Sequence, residues 1–248
     1  MLDLLRLFTT RKPAWRVERI ARELRVSTAT AYRYIARLQG AGLVDCSAHG
    51  YYTLGPAFIE FDRLIRVSDP MLQVAMPRMQ LLRRGLRVAS TVQLWRCYRD
   101  CVVLVHEVRP LKTEEKRGEV VSLFSGAPSL VILAALPSHS LRRLFRKRSF
   151  EIQTSKLGNT WREFSLKLSA IDQKGWCAAR SALSAETSIA SVIRVGSTVL
   201  GSVSIEVPGR RSLQAIEAIG RSVKAAAHRI ASAVGRDRRF ALRRRRGS

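Results

Sequence analysis

The sequence predicts an α+β protein of two domains, and three observations lead there. The first 55 residues read as three short helices followed by a hairpin. An Asp69-Pro70 break then interrupts a helical stretch, and beyond it strands are grouped around several helices. A chain of 248 residues and 27.8 kDa is long enough to bury a core in each of two such domains.

At the N-terminus, Leu2, Leu5 and Phe8 stand at helical spacing until Lys12-Pro13 ends the pattern. A second helix is predicted over 15–24, with Val17, Ile20, Ala21 and Leu24 on one face, and Arg25-Val26 forms a short turn. Ser27 is an N-cap for a third helix over 28–39, in which Ala31, Tyr34 or Ile35, and Leu38 point inward, and Gly40 to Gly42 stop it. Leu43-Val44 and Tyr51 to Leu54 then read as two strands around the turn Ser47-Ala48-His49-Gly50. This order is the winged helix-turn-helix pattern.

A linker helix is predicted over 56–69, through Phe58, Phe61, Leu64 and Ile65, and an amphipathic helix over 71–86. Strands follow at 88–98 and 101–108, then a polar stretch at 111–119 and a strand at 120–124. The small residues Ser125-Gly126-Ala127 open an apolar helix to Leu136. Helices near 138–146 and 160–174 precede strands at 176–180, 188–195 and 198–206, and a helix over 213–234 closes the domain. The predicted divisions are therefore 1–55, 56–69, 70–235, and an Arg-rich tail at 236–248 expected to be disordered.

Composition narrows the function classes. Hydrophobic residues make up 46% and charged residues 25%, away from the disordered regime. The longest apolar run, Leu130 to Leu136, is far too short for a membrane helix, so no membrane partner is expected and the chain reads as soluble and cytoplasmic. Lys and Arg number 44 against 19 acidic residues, for a net charge of +25, and 36 of the 44 are Arg. Such a surface suits an anionic partner, although part of the excess can be solvated Arg with no partner at all. The four Cys and four His lack the paired spacing of a zinc site, and no cofactor is expected. Cys97 and Cys101 flank a predicted hairpin turn, Tyr98-Arg99-Asp100, and are either a thiol sensor or two small buried side chains. No Gly-rich phosphate loop, nucleophile elbow or His with an acid partner is present, so no enzyme activity is expected.

The segment RVERIARELRVSTATAYRYIARLQGAGLV has the spacing of a helix-turn-helix, in which one helix braces another whose N-terminus enters the major groove. Ser27, Thr28 and Thr30 can reach base edges or phosphates. Tyr32, Arg33 and Arg37 form the expected reading and clamping surface, with His49 and Tyr51 on or beside the wing. A helical hairpin with merely solvated Arg residues is the competing reading of the same stretch.

These stretches together resemble the IclR family of bacterial transcription regulators. STATAYRYIARLQGAGLV followed by YYTLG is similar to its recognition helix and wing, VSLFSGAPSLVILAALP to its strand-to-helix segment, and GWCAARSALSAETSIASVIRVGSTVLGSVSIEVP to its terminal strands. The resemblance implies a winged helix-turn-helix domain, a linker helix and a GAF-like effector-binding domain. It implies double-stranded DNA and a small organic effector as partners, and a homodimer or homotetramer. Effector contacts would fall on Ser125, Gly126, Ala127, Ser188, Ser204 and Glu206. The chain departs from the family where Ser129-Leu130 replace Gly-Lys, at Ser181 to Ala185, at Val192 in place of Pro, and at Glu206 in place of a small polar residue. A carboxylate ligand would be repelled by Glu206 unless an Arg such as Arg180 or Arg194 offsets it. The alternative is a ligand or thiol-redox sensor with a degenerate pocket, regulating by DNA binding or partner contacts alone.

Overall fold

The computed structural model describes residues 1–47, 49–86, 88–110, 116–181 and 186–237. The chain divides into two compact units at Asp69/Pro70; of the tail expected to be disordered at 236–248, Arg236 is instead the last residue of the closing helix, and residues 238–248 lie outside the described residues.

The first unit opens with a 3-10 helix, Leu2–Leu7, in place of the predicted α-helical turn. The tighter winding moves Leu4 into the core and leaves Leu2 63% exposed, against the 3.6-residue spacing expected from the sequence. Helix α1 spans Val17–Leu24 and starts two residues later than predicted. Trp15 is instead extended. Its amide donates to the Tyr52 carbonyl at 2.9 Å and its carbonyl accepts from the Tyr52 amide at 2.7 Å, which adds a third strand position to the wing. The indole N–H donates to the Leu7 carbonyl at 2.9 Å, so Trp15 ties the 3-10 helix to the wing.

Arg25, in the left-handed region at φ 54°, closes α1 by donating to the carbonyls of Ala21 and Arg22. Helix α2, Thr28–Gly40, follows with Ser27 as N-cap. Ala31, Ile35 and Leu38 join Leu4, Trp15, Val17, Ile20, Ala21 and Val44 in one core. Ile35 rather than Tyr34 takes the inward position. Strands β1 (Val44–Cys46) and β2 (Tyr52–Leu54) pair antiparallel, and α3 (Ala57–Ser68) follows, burying only Ala57.

The second unit begins with α4, Pro70–Arg84. Its sheet comprises β3 (Thr91–Tyr98), β4 (Cys101–Val108), β5 (Val120–Ser122), β6 (Cys177–Arg180), β7 (Thr187–Val195) and β8 (Thr198–Val207). All neighbours are antiparallel, in the order β5-β4-β3-β8-β7-β6. The helices between are α5 (Gly126–Ala134), α6 (Ser138–Lys147), α7 (Ser149–Thr154) and α8 (Trp161–Lys174), and α9 (Leu213–Arg236) closes the unit. The six-residue α7 carries no periodic pattern from which the sequence could announce it, and a single buried side chain, Ile152, anchors it.

Period-two alternation gives the sheet two different faces. Val92, Leu94, Ile189, Ile193, Val203, Ile205 and Val207 face α4 and α9 in an apolar core with Ile219, Val223, Ala226, Ile230 and Val234. The opposite face carries Gln93, Trp95, Ser188, Ala190, Ser202, Ser204 and Glu206, all buried, and α5 covers it. A strand alternating this way usually leaves its polar side in water; here both sides are covered.

Gly220 is the close-approach point of α9. A Cβ placed there would lie 2.3 Å from the Trp176 ring. In an exposed helix Gly→Ala stabilises by about 1 kcal/mol. Gly220→Ala should instead lower stability in chemical unfolding, because the ring must move or the helix must lift off the sheet. A stabilised variant would show that Trp176 is not packed against α9 in this way.

Candidate functional site

In the first unit, Thr28, Tyr32, Arg33 and Arg37 are all exposed along α2, Thr28 with Tyr32 and Arg33 with Arg37 at the four-residue spacing that puts each pair on one side of the helix. Ser27 and Thr30 have a different employment. The Ser27 hydroxyl accepts from the Thr30 amide at 3.2 Å and donates to Thr30 Oγ1 at 3.0 Å, so this pair caps the helix. His49 lies exposed in the wing turn. Tyr51 is covered on one ring face by the Arg16 guanidinium at 4.7 Å, a cation that sequence spacing did not connect with the wing. The structure thus leaves Thr28, Tyr32, Arg33 and Arg37 exposed on α2 as two pairs, places His49 and Tyr51 on the wing, and assigns Ser27 and Thr30 to helix capping.

In the second unit, Ser188 stands opposite Glu206 in register, and Ala190 opposite Ser204, so Ser188, Ser204 and Glu206 share the polar sheet face. Ser125 occupies the N-cap position of α5 and is exposed, without capping through its side chain, and Gly126 has φ 76°. Ala127 is buried against Val131 and Ala190, so it packs the helix onto the sheet. Ser202 Oγ fastens the same helix by donating to the Pro128 carbonyl at 2.9 Å.

Two residues absent from the sequence expectation organise the face: Gln93 and Trp95. The Trp95 indole donates to Ser204 Oγ at 2.9 Å, Ser204 donates to Gln93 Oε1 at 3.3 Å, and Gln93 Nε2 donates to Glu206 Oε2 at 3.3 Å. The Ser181 hydroxyl donates to the other carboxylate oxygen. Every donor in this chain points toward Glu206. The signal was present in β3 as a Gln flanked by apolar residues in a strand, but its meaning depends on which strand lies beside it.

Burial pushes the Glu206 carboxyl above its ordinary range, and Glu186 and Glu107 act in the same direction. The Ser181 hydrogen bond and the Lys116 ammonium oppose them. Lys116, rather than Arg180 or Arg194, is therefore the cation that offsets this carboxylate. Arg194 faces Asp172 at 3.8 Å, and Arg180 is exposed at the end of β6. Among the described residues three buried hydroxyls, Ser90 Oγ, Ser129 Oγ and Ser188 Oγ, have no hydrogen-bond partner.

Cys97 pairs in register with Val102, and Tyr98 with Cys101, so the two cysteines stand on opposite faces of their hairpin. Cys97 is exposed and Cys101 half-buried, which corrects the expectation of two buried thiols. Desolvation and the neighbouring Asp100 raise both thiols above their ordinary value, which reduces the thiolate fraction a sensor needs. Cys177 is pushed up to about 12 by burial. Among the described residues no group of three His, Cys, Asp or Glu could hold a metal ion, and no helix is long and apolar enough to cross a membrane.

Residues 1–45 match the IclR helix-turn-helix domain, and residues 67–232 match the C-terminal domain of the bacterial transcriptional regulator IclR. The chain belongs to the IclR family. Its members are transcriptional regulators, and this chain is a DNA-binding regulator of that kind. No curated protein sequence matches it. Among solved structures it is similar to an IclR family transcriptional regulator from Brucella abortus (20% identity, 94% of this chain and 90% of that one, TM-score 0.76). It is also similar to the IclR of Thermotoga maritima (20% identity, 94% and 96%, TM-score 0.64). A third is an IclR homologue of Microbacterium hydrocarbonoxydans complexed with 4-hydroxybenzoate (18% identity, 94% and 96%, TM-score 0.69). At these identities the similarity concerns the fold.

The raised carboxyl makes a stability prediction with a definite sign. The folded protein holds the Glu206 proton more tightly than the unfolded chain, so the associated stability is complete below the ordinary carboxylate range and is lost as pH rises through the raised value. Glu206→Gln should therefore gain in thermal midpoint over the native protein as pH rises from about 4 to 8. A gap between the two that stays constant with pH would mean that Glu206 titrates as it does in the unfolded chain.

Proposed function

We propose that the α2–wing surface reads an operator and that the polar face of the second unit binds a small organic effector which biases DNA binding. The DNA part rests on the exposed side chains Thr28, Tyr32, Arg33 and Arg37, on a helix locked into the core by Ala31, Ile35 and Leu38. Arg33 and Arg37 suit guanine edges or phosphates, and Ser27 and Thr30 support them by capping the helix that presents them. Arg33→Ala should cost about 1–3 kcal/mol in affinity for DNA upstream of the chain's own gene, measured against competitor DNA. Unchanged affinity would move the reading surface elsewhere.

A single observation carries the effector reading: Ser188 Oγ, 1% exposed and opposite Glu206, has no partner among the described residues. A buried hydroxyl without a hydrogen bond costs about 1–3 kcal/mol, and a bound molecule can recover that cost. The solved homologue with 4-hydroxybenzoate holds an aromatic acid. In this chain Glu206 sets the opposite charge preference, toward a neutral or cationic molecule with hydrogen-bond donors. Ligand affinity that differs between two conformational states is what would couple this face to DNA binding. Glu206→Ser should shift preference toward organic acids. Calorimetry of both proteins with a matched acid and amide pair measures it, and an identical acid-to-amide ratio would place Glu206 away from the ligand.

The assembly follows from α3, on which Phe61, Leu64 and Ile65 form an exposed apolar row at i, i+3 and i+4. The occupant proposed is a second copy, since paired recognition helices meet paired half-sites. Phe61→Glu with Ile65→Glu should yield the monomer in sedimentation, and an unchanged mass would assign the contact to another surface.

A further inference from the structure

The second unit holds a cavity of about 290 Å³ that shares no residue with the set around Glu206. It exists because β6 is shorter than β7. Strand β6 pairs with residues 187–190 only, so β7 runs on through residues 191–195 with no strand beside that edge. The end of α8 and one side of α9 flank the uncovered edge, and together with β7 they form the walls.

The ionisable walls are Arg194, Lys224 and His228 against a single carboxylate, Asp172. Lys224, Ala227, His228 and Ala231 stand at i, i+3, i+4 and i+7 of α9, hence on one side of that helix, and the two alanines leave room between the longer side chains. A helix C-terminus repels anions, yet the carbonyls at the end of α8 are already taken. Lys224 Nζ donates to the Lys174 carbonyl at 2.9 Å, and Ser191 Oγ donates to the Gly175 carbonyl at 2.7 Å. The first of these bonds holds the ammonium in place and uses one of its three N–H groups. Gly175 has φ 77°, and a Cβ there would lie 2.6 Å from Lys224 Cε, so the glycine is what lets the lysine reach this position. Arg194 meets Asp172 at 3.8 Å with both side chains nearly half exposed, a contact too loose to hold the guanidinium against a competing anion. His228 is exposed and makes no hydrogen bond or ion pair among the described residues.

We propose that this cavity is a second ligand site of the unit and takes the oxyanion of a small molecule, a phosphate or a carboxylate group. Arg194 offers a planar fork of donors, Lys224 a point charge anchored to α8, and His228 a ring N–H; an oxyanion has the several acceptor oxygens these groups require. Ala227, Ala231 and Val192 admit a short apolar body, and the volume lies at the lower end for ligand pockets, which suits a molecule of few atoms. The charge preference is opposite to that of the polar face, where burial and neighbouring carboxylates act against an acid. The proposal does not depend on the effector reading, because the two sets of residues are separate.

The test is NMR of the full chain carrying 15N-labelled histidine, in which His228 reports the cavity and His139, exposed on α6, reports the solvent. Inorganic phosphate and propionate are titrated separately at constant pH, each against sodium chloride of equal ionic strength. The His228 signal should move to a plateau with at least one of the two anions while His139 follows ionic strength alone. A plateau with phosphate alone assigns a phosphate group, and one with propionate alone a carboxylate. Arg194→Gln should weaken the binding about tenfold or more through loss of a charge-assisted contact. Asp172→Asn should tighten it, an effect that loss of folding could not produce. A His228 signal that drifts without a plateau, or moves equally with chloride, would overturn the proposal. So would unchanged affinity in Arg194→Gln with native circular dichroism, or in Asp172→Asn.

Discussion

Glu206 is a carboxylate with almost no contact with water, and the polar side of the six-stranded sheet is organised around it. Left alone in such a place it would be too costly to keep ionised. The indole of Trp95, the hydroxyl of Ser204 and the amide of Gln93 form a line of donors that ends on one of its oxygens, and Ser181 supplies the other. Hydrogen bonds aligned in one direction polarise one another, so the line resists rearrangement more than its separate members would. It also crosses between β3 and β8 and reaches past β7, so that it specifies register as well as charge.

That polar side can exist because the other side is so fully apolar. With α4 and α9 burying Val92, Leu94, Ile189, Val203 and Ile205, the sheet has its stability from one face, and the second is released for chemistry. α5 covers it with small residues, Ala127 against Ala190, while Ser202 holds the helix by the Pro128 carbonyl. A sensing site needs this combination of rigid backing and unspent hydrogen-bonding capacity, the latter visible in Ser188.

The first unit meets a related difficulty at smaller scale, because 69 residues bury a modest core. Trp15 compensates by joining three parts at once: the 3-10 helix through its indole, the wing through its backbone, and the shared core through its ring. The exposed side chains of α2 are only as well placed as this frame allows. Lys12 and Arg16, just ahead of α1, are oriented by the rings of Trp15 and Tyr51, so that core packing and surface charge are parts of one arrangement.

Much of this was legible in the sequence wherever the information is local. Helix α2 and its cap, the hairpin of the wing, the alternation in β7 and β8 and the helix opening at Gly126 all follow from spacing, turn chemistry and small residues within a few positions. So did the face shared by Ser204 and Glu206, since strand geometry places residues two apart on one side. What the sequence could not announce is what depends on neighbours far along the chain. Trp15 fits a helical pattern and becomes a strand because Tyr52 offers both its backbone groups. Gln93 has meaning only because β3 lies beside β8, which sets it opposite Ser204. Lys116 and not an Arg offsets Glu206, and Arg16 meets Tyr51, for the same reason. Local periodicity determines which elements form and which side of each is apolar. Which polar groups meet is decided by strand order and chain return, and that energy is realised only once the tertiary structure closes.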